Sequence, residues 1–418
     1  MSKILIIGNV WPEPCSTAAG NRMLQIIEQF RIQKFDIYFA CAAAINEFSF
    51  DLNSINVKMV GIELNSSSFD NFIEELQPQI IIFDRFMIEE QFGWRVAEKL
   101  PKSLRILDTE DLHFVRNTRF ENFKKQKTTT KNDYLNSDLA KREIASIYRC
   151  DISLIISEVE MEILITVFKI DVTILHYLPF LLNEINENEF DNFPSFFERQ
   201  NFVTIGNFRH EPNWNSVLYL KENIWPLIKK QLPKAEMHIY GSYVTEKAMQ
   251  LHSDKEGFLV KGRAENAKEV IKNARVLLAS IRFGAGIKGK LIDAMQCGTP
   301  SVTTTVGAES MTMTESNPEM TKWNGKIVDN EIDFASAAVE LYLNEKLWKI
   351  AQNIGIQIIN KRYNKLVYSK LFMDKIFEVK NNLEYHRTNN FIGEMLQMQT
   401  LKSNKYMSKW IEEKNKIK

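Results

Sequence analysis

The stretch richest in chemistry is Arg282-Phe-Gly-Ala-Gly-Ile-Lys-Gly-Lys290, set between an apolar run and a helical run from Leu291 to Cys297. Glycines at 284, 286 and 289 lack a Cβ, so backbone there can approach an anion closely. A helix that begins just after them presents free amides to the same anion. Lys288 and Lys290 add positive charge. Such a set suits a phosphate, and the place just past the carboxyl end of a strand is where open α/β sheets bind ligands. The competing reading is a plain tight turn, since glycine-rich turns are common.

A second group is Leu107-Asp-Thr-Glu-Asp-Leu-His113, which follows another apolar run. Carboxylates at Asp108, Glu110 and Asp111 beside His113 would orient an acceptor hydroxyl or take its proton. The same residues also make a polar helix start, one Asp capping free amides and the others solvated; both readings stay open. Asp84-Arg85 ends a further run and could line the same cleft, though a structural ion pair is the favoured reading. Ser16 to Asn21 is a small-residue loop before a helix beginning near Arg22, where Gly20 would relieve a crowded turn. Lys124 to Lys131, basic and threonine-rich, reads as a mobile surface loop. No Cys/His spacing suits zinc, the histidines at 113, 176, 210, 238, 252 and 386 form no close ligand pair, and there is no Asp-x-Asp site, so no metal is expected.

These residues need a scaffold, and the sequence supplies one. Short β-branched or aromatic runs alternate with helix-length segments, the pattern of parallel strands joined by crossover helices. Candidate strands of the first half are Ile4 to Ile7, Asp36 to Cys41, Val57 to Ile62, Ile80 to Phe83, Arg105 to Leu107, Ile152 to Ile156 and Val172 to Leu175. Those of the second half are Phe202 to Ile205, Met237 to Tyr240, Phe258 to Val260, Val276 to Ala279, Ser301 to Thr304 and Lys326 to Val328. Runs apolar on both faces belong in a sheet covered by helices on both sides. The expected class is α/β, with two doubly wound Rossmann-like domains facing across a cleft. The expected division is a first domain at 1–180, a linker at 181–200, a second domain at 201–345, and C-terminal helices with a basic tail at 346–418.

Composition narrows the partners. The 418 residues exceed what one core usually organises. Lys plus Arg equal Asp plus Glu at 53 each, so nothing in the net charge points to nucleic acid, and an anionic ligand must meet a local basic cluster. Cys15, Cys41, Cys150 and Cys297 show no metal or redox spacing and fit free thiols in a reducing compartment, so a cytoplasmic location is expected. Met1 to Val10 carries no small-residue cleavage site and reads as a first strand. No apolar stretch approaches the roughly 18 residues that would span a bilayer. The tail, with Lys402, Lys405, Lys409, Lys414, Lys416 and Lys418 against Glu412 and Glu413, reads as a solvated helical face; peripheral contact with the inner membrane face is the alternative.

The run Phe283-Gly-Ala-Gly-Ile-Lys-Gly-Lys-Leu-Ile-Asp-Ala-Met-Gln-Cys-Gly-Thr-Pro-Ser-Val-Thr303 resembles the donor-site signature of the group 1 (retaining, GT-B) glycosyltransferases. Four further landmarks fall in family order. Arg149-Cys-Asp-Ile-Ser-Leu-Ile-Ile-Ser-Glu158 resembles a first-domain strand ending in Ser-Glu, and Ile205-Gly-Asn-Phe-Arg-His-Glu-Pro-Asn213 the opening strand and loop of the donor domain. Pro233-Lys-Ala-Glu-Met-His-Ile-Tyr-Gly241 resembles its second strand, and Val260-Lys-Gly-Arg263 the base-binding turn. The resemblance covers about 340 residues and leaves the tail outside.

What the resemblance implies is transfer of a sugar from a nucleoside diphosphate sugar to an acceptor hydroxyl, with retention, no metal and no cofactor. The acceptor would be a glycan, a lipid-linked group or a protein, and the setting cell-surface glycan biosynthesis. Amides from Gly284 through Ala285 and Gly286 to Ile287, with Lys290 and Arg209, would hold the diphosphate, and Asp293 the ribose hydroxyls. Gly241 and Arg263 would lie near the base, and Gly20 and Asn21 near the diphosphate or acceptor. Family members commonly carry Glu, seven residues, Glu; here the pair is Ala285 and Asp293, so the first carboxylate is absent. Glu110 stands where relatives often place a His near the reacting sugar, with His113 three residues on. The rival readings are a nucleotide-sugar epimerase and a non-catalytic sugar-nucleotide-binding partner in a glycosylation complex.

Overall fold

The computed structural model describes residues 2–314 and 321–416. The first sheet has seven parallel strands, β1 (Lys3–Gly8), β2 (Asp36–Cys41), β3 (Lys58–Gly61), β4 (Ile80–Asp84), β5 (Leu104–Asp108), β6 (Ile152–Ile155) and β7 (Leu175–Tyr177), in the order 3-2-1-4-5-6-7. The second has six, β8 (Gln200–Ile205), β9 (Met237–Tyr240), β10 (Phe258–Gly262), β11 (Ala274–Ala279), β12 (Ser301–Thr303) and, after a short antiparallel pair β13 (Met313–Thr314) and β14 (Thr321–Lys322), β15 (Gly325–Ile327), in the order 10-9-8-11-12-15. Both are doubly wound, and the molecule is the expected two-domain α/β fold. The central strands are buried at every position, β4, β5 and β6 throughout, because helices cover both faces. In each sheet the order reverses once, between β1 and β4 and between β8 and β11. The loops beyond those carboxyl ends, where the chain parts in opposite directions, form the cleft.

Two strand assignments need correction. Val172–Ile174 is a 3-10 turn started by Asp171, whose carboxylate accepts the Thr173 amide at 2.8 Å, and the strand is Leu175–Tyr177. Three consecutive β-branched residues look like a strand, but the cap decides. Thr304 leaves β12 to cap the helix Thr305–Ala308 through its hydroxyl.

The chain crosses between the domains twice, and the crossings lie side by side: Leu182 N donates to Tyr363 O and Lys365 N to Leu182 O, each at 2.8 Å. Between them, the helix Glu345–Arg362 lies on the second domain, where the buried Trp348 packs against Phe196 and donates to Arg275 O at 2.7 Å. The next helix, Lys365–Asn381, returns to the first domain and sets Phe372, Met373, Ile376 and Val379 into the core that holds Phe30. The last, Phe391–Lys416, lies along the helices Phe86–Lys99 and Asp138–Arg149, with Arg95 on Ser408 and Gln397 on Arg149 O. Residues from 346 therefore do not stand apart as a unit, because their apolar faces are divided between the two cores. A fragment of residues 199–363 should unfold cooperatively and bind no hydrophobic dye. A fragment extended to 385 should bind dye through Phe372 and Ile376, and equal dye binding by both would refute this division.

Among the described residues no helix is long and apolar enough to cross a membrane. In the tail, Lys405 pairs with Glu98 and Lys416 with Glu413, so part of its basic charge is met within the chain. Lys418 and the Lys402 side chain lie outside what is described.

Candidate functional site

The glycine loop runs from the end of β11 into the helix Gly289–Gln296. Gly286 has φ 62°, a left-handed conformation that glycine adopts freely. Its amide does not face a ligand: it donates to Glu160 Oε1 of the first domain at 3.0 Å, and the same oxygen accepts the Leu112 amide at 2.9 Å. This corrects the expected role of Gly286 as a diphosphate donor. The missing side chains serve domain contact, since a Cβ on Gly286 would lie 2.8 Å from Asp111 Cβ and one on Gly289 2.5 Å from Ala18 Cβ. Arg119 grips the loop from the first domain, donating to Gly284 O at 2.8 Å and pairing with Glu309 at 2.7 Å, while Phe283 packs against Phe120 and Phe123.

What remains for a ligand is the helix entry. Among the described residues the amides of Ile287, Lys288, Gly289 and Lys290 make no hydrogen bond, and Lys288, at the cap, supplies no side-chain cap. Lys290 is half-buried and has neither hydrogen bond nor ion pair among the described residues, and burial lowers its amine to about 8. Lys288 turns back to Gly286 O at 3.0 Å. Asp293, one turn further, is pushed up to about 6 by burial, with Lys268 opposing. These groups line a cavity of about 540 Å³ between the domains, together with Gly284, Ala285, Ile287, Asn21, His113 and His210.

Across the cleft, Glu110 follows β5 with φ 60° and is 9% exposed. Burial and the nearby Asp108 push its carboxyl up to about 8, against Arg22 and Arg85. His113 opens the helix His113–Lys124. Burial lowers its imidazole to about 4, despite Asp111 Oδ1 at 3.7 Å, so the ring is neutral near pH 7. Asp111 is half-buried, and Arg116, held by its carboxylate, and then His113 outweigh desolvation and bring it down to about 2. No Asp of this cluster caps the helix. The His113 and Phe114 amides go to Glu143 at 3.1 and 2.9 Å, and Asp108 is paired with the buried Arg22 at 2.9 Å. The polar-cap reading of 108–111 is thereby overturned, and Glu110 itself makes no hydrogen bond among the described residues.

The other expected residues divide. Arg209 lies over Tyr243 at 4.2 Å and lines a smaller chamber beside the main cavity. Gly20 lines that chamber too, although its Cβ would also strike the Glu13 backbone at 2.5 Å, so the crowded-turn reading holds as well. Asn21 donates to Pro14 O at 2.8 Å. Gly241 and Arg263 line neither space. A Cβ on Gly241 would lie 2.1 Å from Gly206 O, so that glycine serves close approach of two strand ends, and Arg263 is stacked on Phe48 of the first domain at 4.4 Å. Tyr243 completes this interdomain contact, edge-on to Phe48 and donating to Glu13 at 3.0 Å.

With this geometry in place, the likenesses to known proteins can be read. Residues 199–344 match the family described as Glycosyl transferases group 1. The second domain is a group 1 glycosyltransferase domain. No curated protein sequence matches the chain. Among solved structures, the chain resembles TarM of S. aureus, in complex with fondaparinux, alpha-GlcNAc-glycerol and UDP, at TM-score 0.66 and 12% identity, over 91% of this chain and 100% of that one. HepE of Anabaena, in complex with UDP and glucose, gives 0.65 and 10%, over 90% and 100%. Sucrose-phosphate synthase of Thermosynechococcus elongatus gives 0.66 and 12%, over 90% and 98%. At these identities the likeness establishes the GT-B fold.

Ala285, at the position of the missing first carboxylate, packs its methyl against the first-domain core while lining the cavity. Glu143 and Glu160, which hold the amides of Leu112, His113 and Phe114 and tie that loop to the glycine loop, escape sequence reasoning; the signal for Glu160 is its place two residues after the Ser157-Glu158 landmark.

Proposed function

We propose that this glycosyltransferase moves a sugar from a nucleoside diphosphate donor to an acceptor hydroxyl, with retention and without a metal ion. The observation that carries the reading is Lys290: a half-buried amine with no partner among the described residues, beside free helix amides, lining the interdomain cavity. Charge grows on the diphosphate as the glycosidic bond breaks, so prepositioned donors act more strongly in the transition state than before it. Asp293, one turn along the same helix, would accept ribose hydroxyls, and closure of the domains would exclude water. UDP in the TarM and HepE structures makes uridine nucleotides the first to try, and a glycan is the acceptor class we place first. We place the chain in a reducing compartment, its four cysteines being free thiols. Incubation with radiolabelled nucleoside diphosphate sugars tests the reading: glycoside formation supports it, and epimerised or merely bound sugar refutes it.

Glu110 is our candidate for the proton of the acceptor hydroxyl, with His113 as its neutral neighbour. Glu110→Gln should cut turnover while leaving nucleotide affinity within a few-fold. As a base Glu110 must be ionised, so wild-type turnover should climb through about pH 8 and the variant's profile should lack that limb. Stability runs the other way. The folded value lies above the ordinary 4.5, so the folded chain holds this proton longer, and the stability it contributes is present in full below 4.5 and lost as pH rises through about 8. Melting temperatures of wild type and variant should therefore converge at low pH and part at high pH, the wild type falling further.

A further inference from the structure

At the switch point of the first sheet, between β1 and β4, lies the smaller chamber, about 250 Å³, which meets the donor cavity at Thr17, Ala19, Arg85, Glu110 and Asn207. One side is apolar, with Trp11 and Met23, and the other carries Asp84, Arg85 and Glu110. The polar side is incomplete. Asp84, 5% exposed, accepts the Asn9 amide at 3.0 Å through Oδ2, but its buried Oδ1 has no hydrogen-bond partner. Arg85 Nε stands 3.7 Å from Oδ1, beyond hydrogen-bonding distance, in a residue whose φ of 76° holds the side chain at the cleft. Glu110 makes no hydrogen bond among the described residues. The remaining charges are engaged: Glu13 accepts from Tyr243 and Asn46, Arg209 lies on Tyr243, and Arg22 is paired with Asp108.

Buried polar groups are nearly always paired, because an unpaired one forfeits its hydrogen bonds to water without replacement. A carboxylate oxygen with no hydrogen bond, a guanidinium held to it only by a longer ion pair and the unbonded Glu110 carboxyl, all on one wall of one chamber, describe what should fill it. We propose that this chamber is the acceptor site and that it takes one neutral, hydroxyl-bearing ring, lying against Trp11 and hydrogen-bonded to Asp84 and Arg85, with its reacting hydroxyl at Glu110. The assignment rests on the glycosyltransferase reading and adds the acceptor's chemical class. Hydroxyls both donate and accept, which suits a carboxylate oxygen beside a guanidinium. A phosphorylated ring would bring its charge against Asp84, which already balances Arg85. The volume is below the roughly 300–1,000 Å³ of common small-molecule sites, so it holds one ring and leaves the rest of the acceptor outside.

The test is direct binding of neutral methyl hexopyranosides and of hexose 6-phosphates to the whole chain, followed by ligand-observed NMR, with melting shifts on UDP measured separately. Asp84→Asn puts an N–H where a hydroxyl should donate. Val10→Trp fills the chamber from its rim, at a residue 43% exposed in the native chain, and so keeps the test open if the buried variant folds poorly. Both should weaken glycoside binding at least tenfold and leave the UDP shift intact. Unchanged glycoside binding in both variants would overturn the assignment, as would tighter binding of the 6-phosphates than of the neutral glycosides. Glycoside binding that depends on Asp84 in a chain that answers to no nucleoside diphosphate would support the chamber and sink the transferase reading alone.

Discussion

Lys290→Ala should weaken binding of a nucleoside diphosphate at least tenfold. Truncating one partner of a buried charge pair costs about 2–5 kcal/mol, and each 1.4 kcal/mol is a factor of ten. Lys290 has the features of such a partner awaiting its anion: burial alone lowers its amine to about 8, and nothing in the described protein compensates. Two further results follow. Because the amine loses its charge above about pH 8, wild-type affinity should fall as pH rises past that value, and the variant's should not. Because a desolvated, unpaired cation does not help the unliganded fold, Lys290→Ala should be no less stable than wild type, so weaker binding could not be blamed on misfolding. Lys290→Arg should rescue only partly, since a planar fork does not replace a compact ammonium. Lys288→Ala is the control, its native amine being turned back on Gly286 O and near Glu309. Calorimetry with UDP decides: equal affinity in wild type and Lys290→Ala would return the loop to a plain turn.

The strands and the doubly wound order were legible because a central strand buried on both faces is a run of Ile, Val, Leu and Phe whatever its partners, as in Ile80 to Phe83. The segment at Val172 misleads for the same reason: composition reports what a strand tolerates, while the Asp171 cap fixes the turn. At the site, the helix entry that carries Lys290 and Asp293 was legible because strand end, glycine loop and helix start are neighbours in sequence. Glu143 and Glu160 were not, since the amides they hold lie about 30 and 48 residues away and only the tertiary fold brings them together. The glycines show a subtler limit. A sequence reveals that a position requires close approach but not what approaches, and the space beside the Cα of Gly286 and of Gly289 is taken by Asp111 and Ala18.

That distinction leads to the largest effect expected on turnover alone. A methyl at Gly289 would sit 2.5 Å from Ala18 Cβ and 3.6 Å from its Cα, and Ala18 opens the helix Ala18–Ile32, so no flexible side chain can swing aside. The domains must part by about 1 Å at this contact, which strains the Gly286–Glu160 hydrogen bond and the grip of Arg119 on Gly284. The donor groups sit on one domain and Glu110 on the other. A nucleoside diphosphate should therefore still bind within a few-fold, while a misplacement of about 1 Å lowers turnover by roughly 100-fold. The second substitution Ala18→Gly removes the opposing methyl and should restore most of the loss, a coupling that only residues in contact show. Single-turnover rates and calorimetry on the four combinations give the answer. If Gly289→Ala loses nucleotide affinity as steeply as it loses turnover, and Ala18→Gly does not rescue it, the glycine faces the phosphate after all and the closure argument fails.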